Sequence, residues 1–438
     1  MLERLFGLKA ASTTVRTELM AGLTTFLTMA YIVTVNPSIL GQAGMPAAGV
    51  AAATCLAAGV ASIVMGLVAN YPLALAPGMG LNAYFTFTVV KGMGVPWPTA
   101  LGCVFISGVL FALLTIAGVR RLIVGAIPRP LFAAVAAGIG LFIAFIGLKD
   151  AGIVVADPGT TVALGDLTQP AAALALAGLI LIAALQAFRI KGAILIGILA
   201  VTAAAWALGT IHLAPAAYDF SDLTSTALKL DIPAALNLKG NLGLGLVEIV
   251  FVFLFVDVFD NVGTLVGVTH KLGLQAPDGT IPRLNRILLA DSLGAVLGSL
   301  VGTSTVVSYI ESASGVAAGG RTGLTAVTTG VLFLAAMAFA PLAAAIPSAA
   351  TAPALIVVGA MMMSGLKDID WDDAEIAVPA FLTLAAIPLS FSIANGLAFG
   401  IVAYAAIRAL RAKARPADWL LYLLAALFVA RFIWLAKG

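Results

Sequence analysis

The chain predicts an all-α polytopic membrane protein of about fourteen spans, a 7+7 inverted repeat in which the third and tenth spans are broken. Three observations predict it. The 438-residue sequence is 62% hydrophobic and 10% charged, with a mean hydropathy of +1.11, and runs able to cross a ~30 Å hydrocarbon core recur along its length. Lys and Arg fall mainly on one side when those runs are threaded. Finally, FVFLFVDVFDNVGTLVGV (Phe251 to Val268) and GTSTVVSYIESASGV (Gly302 to Val316) embed carboxylates that a lipid-facing helix could not keep. An ionisable group at bilayer depth costs roughly 2.5–3.5 kcal/mol on insertion scales, so Asp257, Asp260 and Glu311 are expected to face a protected polar cavity.

Taken in order, the N-terminal MLERLFGLKAASTTVRTE has no short apolar core before a small-residue cleavage site. The first span, 17–36, is therefore expected to be retained. Further spans read at 48–70, 73–90, 98–118, 128–147, 171–188 and 192–209. Residues 210–245 form an extracellular connection, and a second set follows at 246–268, 284–302, 303–318, 322–342, 350–365, 375–392 and 394–411. With the N-terminus cytoplasmic, seventeen of the 23 Lys and Arg lie in cytoplasmic segments, and only Lys91, Lys149, Lys229 and Lys239 lie outside. Shifting a single span spoils that asymmetry. The acidic stretch KDIDWDDAE (Lys367 to Glu375) reads as a cytoplasmic connector. Within the C-terminal 412–438, the run Trp419 to Leu435 is either an extra span or an interfacial helix, and Arg431 favours the interface.

The two sets of seven look related. YPLALAPGMGLNAYF (Tyr71 to Phe85) and GTSTVVSYIESASGV are the odd third members, each expected as a short strand followed by a half helix. Pro128 to Leu148 echoes Pro347 to Leu366, each opening on proline and closing on Gly-Leu-Lys. An odd number of spans per repeat inverts the halves, and paired broken helices then place a substrate site at the midplane, as in many secondary transporters. Asn82 and Glu311 come to similar depth. Asp257 and Asp260 are three apart and share a helix face.

Longer strings carry a resemblance. These are TELMAGLTTFLTMAYIVTVNPSIL (Thr17 to Leu40), ALAPGMGLNAYF (Ala74 to Phe85), GIGLFIAFIGLKDAGIV (Gly138 to Val154), VDVFDNVGTLVGVTHKLGL (Val256 to Leu274) and DSLGAVLGSLVGTSTVVSYIESASGVAAGGRTGLTAV (Asp291 to Val327). Over nearly its whole length the chain resembles the AzgA-like purine permeases of the nucleobase and ascorbate transporter superfamily, which carry adenine, guanine or hypoxanthine with protons. The resemblance implies a core domain of 17–118 and 246–342 and a gate domain of 119–209 and 343–411, with substrate held between them. It implies Asn82, Asp257, Tyr309 and Glu311 as substrate contacts, Asp257, Asp260 and Glu311 as proton-coupling groups, and Thr264 as an additional position. A homodimer is one arrangement within the wider superfamily.

A purine is flat and rimmed by donors and acceptors, so a slot with a few fixed polar groups suits it. A deprotonated carboxylate accepts from the N1–H of a 6-oxo purine and from the amine of guanine, whereas adenine presents N1 as an acceptor. Guanine and hypoxanthine are therefore favoured over adenine. Tyr309 can stack on the ring or donate its hydroxyl. The alternatives on this architecture are uracil or xanthine as substrate and sodium as coupling ion. Three carboxylates argue against an inorganic anion, and no filter-like repeat supports a channel. Cys55 and Cys103 lie in apolar runs and His212 and His270 in loops, so no disulfide scaffold, metal site or catalytic set is expected. No cofactor and no nucleic-acid partner are expected. The partners are a purine, a proton and membrane lipid, and the setting is a bacterial inner membrane.

Overall fold

A computed structural model describes residues 2–118, 129–211, 219–237, 243–272, 281–412 and 418–435, with the side chains of some positions inside these segments, Asp260 and His270 among them, outside the described residues. His212 also falls outside them. The chain forms two compact units, Met1–Ile116 with Gly147–Leu355 and Ala117–Ile146 with Ile356–Gly438. Among the described residues nine helices are long and apolar enough to cross a membrane, and 193–207, 374–389 and 419–433 form shorter apolar helices.

In the first unit, α1 (Val15–Met29) starts at Thr14, whose hydroxyl accepts from the Thr17 N–H, and breaks at Ala30 and Tyr31 before α2 (Ile32–Gly41). Ala30 and Tyr31 keep right-handed helical backbone angles, so Val15–Gly41 remains one candidate span with an irregular turn inside it. Next come α3 (Ala47–Val68), β1 (Leu75–Pro77), α4 (Met79–Ala83), the wider π-helical turn Tyr84–Gly92, and α5 (Trp97–Ile116). The later half supplies α6 (Gly243–Leu272), α7 (Leu284–Val301), β2 (Val306–Ser308), α8 (Ser312–Ala317) and α9 (Gly323–Ala336). The segments Tyr71–Phe85 and Gly302–Val316 therefore each carry a three-residue strand followed by a short helix.

The two strands pair antiparallel, Leu75 opposite Ser308, Ala76 opposite Val307 and Pro77 opposite Val306. Irregular backbone at bilayer depth has to find its hydrogen bonds inside the protein. Beyond the ladder, Gly78 N–H donates to the Thr305 carbonyl (2.9 Å) and Tyr309 N–H to the Ala74 carbonyl (3.0 Å). Ser62 accepts from the Leu75 N–H (2.9 Å) and Ser312 from the Ala74 N–H (3.0 Å), which pins the strands to α3 and α8. Small residues let α3 and α9 approach closely. A Cβ at Gly59 would lie 3.0 Å from the Gly330 carbonyl and 2.6 Å from Leu334 Cγ, and one at Gly66 would meet the Gly323 carbonyl.

The connection after the seventh predicted span carries short helices at Phe220–Thr224 and Ile232–Ala235. It is tied down by Leu228 N–H to the Leu300 carbonyl (2.8 Å) and Asp231 N–H to the Pro98 carbonyl (2.9 Å). One feature departs from an all-helical expectation: Val154–Asp157 pairs antiparallel with Thr161–Leu164. Asp157 closes this hairpin by accepting from Gly159 and Thr160 N–H, both at 2.8 Å, an Asx turn. His270, expected in a loop, lies on α6, which runs farther than the apolar run alone.

In the second unit, Gly140 and Gly359 allow the two proline-opened helices to touch, a Cβ at Gly140 lying 2.7 Å from the Gly359 carbonyl. Glu375, near the start of helix Ala374–Leu389, pairs with Arg408 (3.4 Å) and Arg411 (2.8 Å) of helix Ile393–Leu410. Arg408 also pairs with Asp418 (2.9 Å), just before helix Trp419–Leu435.

Candidate functional site

Residues 303–311 of the tenth segment carry the polar contacts of the site, because an extended run presents successive side chains in opposite directions. Thr303 and Ser304 meet a buried amide pair. Asn36 of α2 donates through Nδ2 to Thr54 (2.7 Å) and Thr303 (2.8 Å), and accepts at Oδ1 from Asn82 of α4 (2.6 Å). Asn82 in turn accepts from the Ser304 hydroxyl. Asn82 is fully buried, and its amide nitrogen and oxygen both have protein partners.

Ser308 meets a carboxylate cluster. Asp291 of α7 accepts at Oδ1 from the Ser308 N–H (2.9 Å) and hydroxyl (2.7 Å), and at Oδ2 from Asn261 Nδ2. The same Asn261 nitrogen donates to Asp257 Oδ1 (2.9 Å), one turn back on α6. Asp257, Asn261 and Asp291 are fully buried. One amide therefore links two carboxylates from different helices, and through Ser308 links both to the crossing strands. Tyr84 and Phe85 pack against Phe253 of α6, with ring centroids 5.1 and 6.5 Å apart, which sets α6 against the third segment.

Tyr309 is buried and its hydroxyl donates to the Pro77 carbonyl, so in this structure it fastens one broken segment to the other. Two residues on, Glu311 is partly exposed where its neighbours Ser308 and Tyr309 are buried. Its Oε1 accepts from the Tyr31 hydroxyl at 2.6 Å. Thr264 is buried on α6, about two turns beyond Asp257. Asp260 lies on the same helix and its side chain is outside the described residues.

Among the described residues, the hydrogen bonds of the sequence-predicted residues fall into three groups. Asn82 belongs to the amide pair, Asp257 to the α6–α7 cluster and Glu311 to Tyr31, and the tenth segment joins the three. Tyr31, Asn36 and Asn261 escaped sequence reasoning. Asn261 lies four residues after Asp257, a spacing that brings side chains together on a helix, and Asn36 is a buried amide preceding Pro37 in an apolar run. Tyr31 carries no such signal. The threonines of the first span divide: Thr28 donates to its own helix at Thr25 (2.8 Å), Thr24 accepts from Lys191 (3.3 Å), and Thr25 is buried beneath Gly315. Among the described residues no group of three or more His, Cys, Asp or Glu could hold a metal ion.

Residues 16–410 match a family model described as Permease family. The adenine permease AdeP of Escherichia coli K12 is 44% identical over 436 residues, covering 99% of this chain and 96% of its own. The guanine/hypoxanthine permease PbuO of Bacillus subtilis is 43% identical over 429 residues, covering 97% and 98%. Among solved structures, the transmembrane domain of a cyanobacterial bicarbonate transporter, BicA, superposes with a TM-score of 0.64 at 15% identity, covering 89% of this chain and 97% of that one. At that identity the likeness is one of fold.

Proposed function

We propose a substrate and a coupling ion for this chain, which belongs to the Permease family of multi-pass membrane transporters. It imports purine nucleobases, guanine and hypoxanthine before adenine, in symport with protons. The relatives named adenine permease and guanine/hypoxanthine permease stand at nearly equal identity, 44% and 43%, so they support the purine class and leave the choice within it to site chemistry. The observation that carries the reading is Glu311, a partly exposed acid directly after a strand crossing that is otherwise closed by protein hydrogen bonds. Such a carboxylate accepts from the N1–H of a 6-oxo purine and from the guanine amine.

In this reading Glu311 anchors the base and Asp257 or Asp260 carries the proton. Asn82, Asp257 and Tyr309 are the further substrate contacts of this reading, Asn82 and Tyr309 exchanging their partners Asn36, Ser304 and the Pro77 carbonyl for the base, and Thr264 is an additional position. Burial disfavours the charged form of a carboxyl, so an acid of this kind exchanges its proton when access changes. If purine binds one protonation state better, proton and purine are coupled equally in both directions. Transport is by alternating access in a fold of about fourteen spans, with a core of 17–118 and 246–342 moving against a gate of 119–209 and 343–411.

The test is uptake of radiolabelled guanine, hypoxanthine, adenine, xanthine and uracil by cells lacking their own carriers, with and without a protonophore and with sodium replaced. The expected result is protonophore-sensitive, sodium-independent uptake of guanine and hypoxanthine, with the KM raised but still measurable in Glu311→Gln. Sodium dependence would overturn the coupling, and preference for uracil or xanthine would overturn the substrate.

A further inference from the structure

We propose that Tyr31 is a positioning residue for purine recognition: its phenol hydroxyl holds Oε1 of Glu311, so that Oε2 is the oxygen presented to the ring N–H of the base. This rests on Glu311 as the anchor proposed above and adds a residue from a different element to it. The Tyr31 hydroxyl lies 2.6 Å from Glu311 Oε1, well within O–H···O hydrogen-bond range, and such a bond to an ionised carboxylate is roughly twice as strong as a neutral one. Tyr31 is 1% exposed, so water cannot replace the bond if it is lost, and a buried phenol needs a partner.

The backbone aims this hydroxyl. Helix α1 ends at Met29, the Ala30 N–H donates to the Phe26 carbonyl (2.7 Å), and α2 begins at Ile32. Tyr31 occupies the break, where its carbonyl accepts from the Thr34 hydroxyl (2.8 Å). Thr28, one turn earlier, donates to two carbonyls of its own helix, a pattern that bends helices. Glu311 sits at the start of a six-residue helix, and its carboxyl accepts from its own backbone N–H as well as from Tyr31. Among the described residues Tyr31 is the side chain that bonds its carboxylate. A carboxylate already held in one rotamer loses less freedom when a ligand arrives, and that saving is read as affinity.

A mere strut between the α1–α2 break and α8 would lower the stability of the empty protein and leave the KM of the surviving carriers unchanged. A positioning residue changes affinity beyond whatever the loss of the bond does to the melting of the empty protein. Tyr31→Phe is therefore compared with wild type, Glu311→Gln and the double variant, in guanine uptake and in guanine-induced thermal stabilisation of the purified protein. The expected result for Tyr31→Phe is a KM and Kd raised about two- to tenfold, the cost of ordering one rotamer-rich side chain on binding. The maximal rate should stay within about twofold, and no further loss should appear on the Glu311→Gln background. Unchanged affinity in Tyr31→Phe, or an equal loss on both backgrounds, overturns the proposal. Wild-type affinity in Glu311→Gln would instead overturn the anchor. Should Tyr31→Phe fail to reach the membrane, 3-fluorotyrosine encoded at position 31 gives a second readout. Guanine should move its ¹⁹F resonance, and an unmoved resonance at saturating guanine counts against the proposal.

Discussion

Replacing Asn36 by alanine should unfasten the joint between helix α2 and the segment 303–311. Asn36 is fully buried and makes three side-chain hydrogen bonds, to Thr54 (2.7 Å), to Thr303 (2.8 Å) and from Asn82 (2.6 Å). Thr54 retains its bond to the Val50 carbonyl (2.6 Å), so it loses only a donor. Asn82 is left with a buried N–H facing the space vacated by the amide. Stranding a buried donor costs about 1–3 kcal/mol and each further bond about 0.5–1.5 kcal/mol, a total near 4 kcal/mol. With an unfolding entropy of about 2.1 cal/mol/K per residue, a 438-residue chain should then melt about 4 °C lower in detergent. Asn36→Asp, which keeps the shape and loses the Nδ2 donor, should be at least as damaging. Uptake should fall along with stability, because Asn82 and Ser304 lose their register. A melting midpoint within about 1 °C of wild type for Asn36→Ala would refute the argument.

Two further outcomes follow from groups outside the site. The fully buried Glu18 carboxylate accepts from the N–H groups of Arg321 (2.9 Å), Thr322 (3.3 Å) and Thr325 (3.2 Å), and from the Thr325 hydroxyl (2.6 Å), at the N-terminal end of α9. Glu18→Gln removes the charge that favours this helix end and turns a donor toward donors, so denaturation should show a loss of about 2–3 kcal/mol, and an unchanged midpoint would argue against it. In the exposed hairpin, the Thr160 and Gly159 N–H groups and the Thr160 hydroxyl hold the Asp157 carboxyl below the usual aspartate range. A depressed pKa means that the turn is favoured above the ordinary aspartate value and loosens as pH falls through the folded one. Amide exchange at Gly159 and Thr160 should accelerate on acidification relative to the intrinsic rate, and this pH dependence should vanish in Asp157→Asn.

Helix ends and strand crossings were legible to different degrees. The prolines and glycines of YPLALAPGMGLNAYF and the Thr-Ser-Val run of GTSTVVSYIESASGV announced short extended pieces, and the strands formed at Leu75–Pro77 and Val306–Ser308. The break at Ala30 and Tyr31 was not legible, because no proline or glycine marks it. The hairpin at 154–164 was overlooked because hydropathy over a long connection averages away a four-residue alternation. Within the site, the carboxylates were visible as charges in apolar runs, while Asn36 and Asn261 were not. An amide costs less than a charge to bury and stands out less against its neighbours.

By itself the sequence determined that this is a membrane transporter with acids set in apolar runs and a pair of broken segments, since hydropathy, charge and chain-breaking residues record each segment's surroundings one residue at a time. Only the tertiary structure decided the partners. Tyr31 and Glu311 are separated by 280 positions, and Asn82 and Ser304 by 222. Which buried donor meets which acceptor depends on how helices and strands from both halves pack, and a buried group has to be satisfied by whatever that packing brings within about 3 Å.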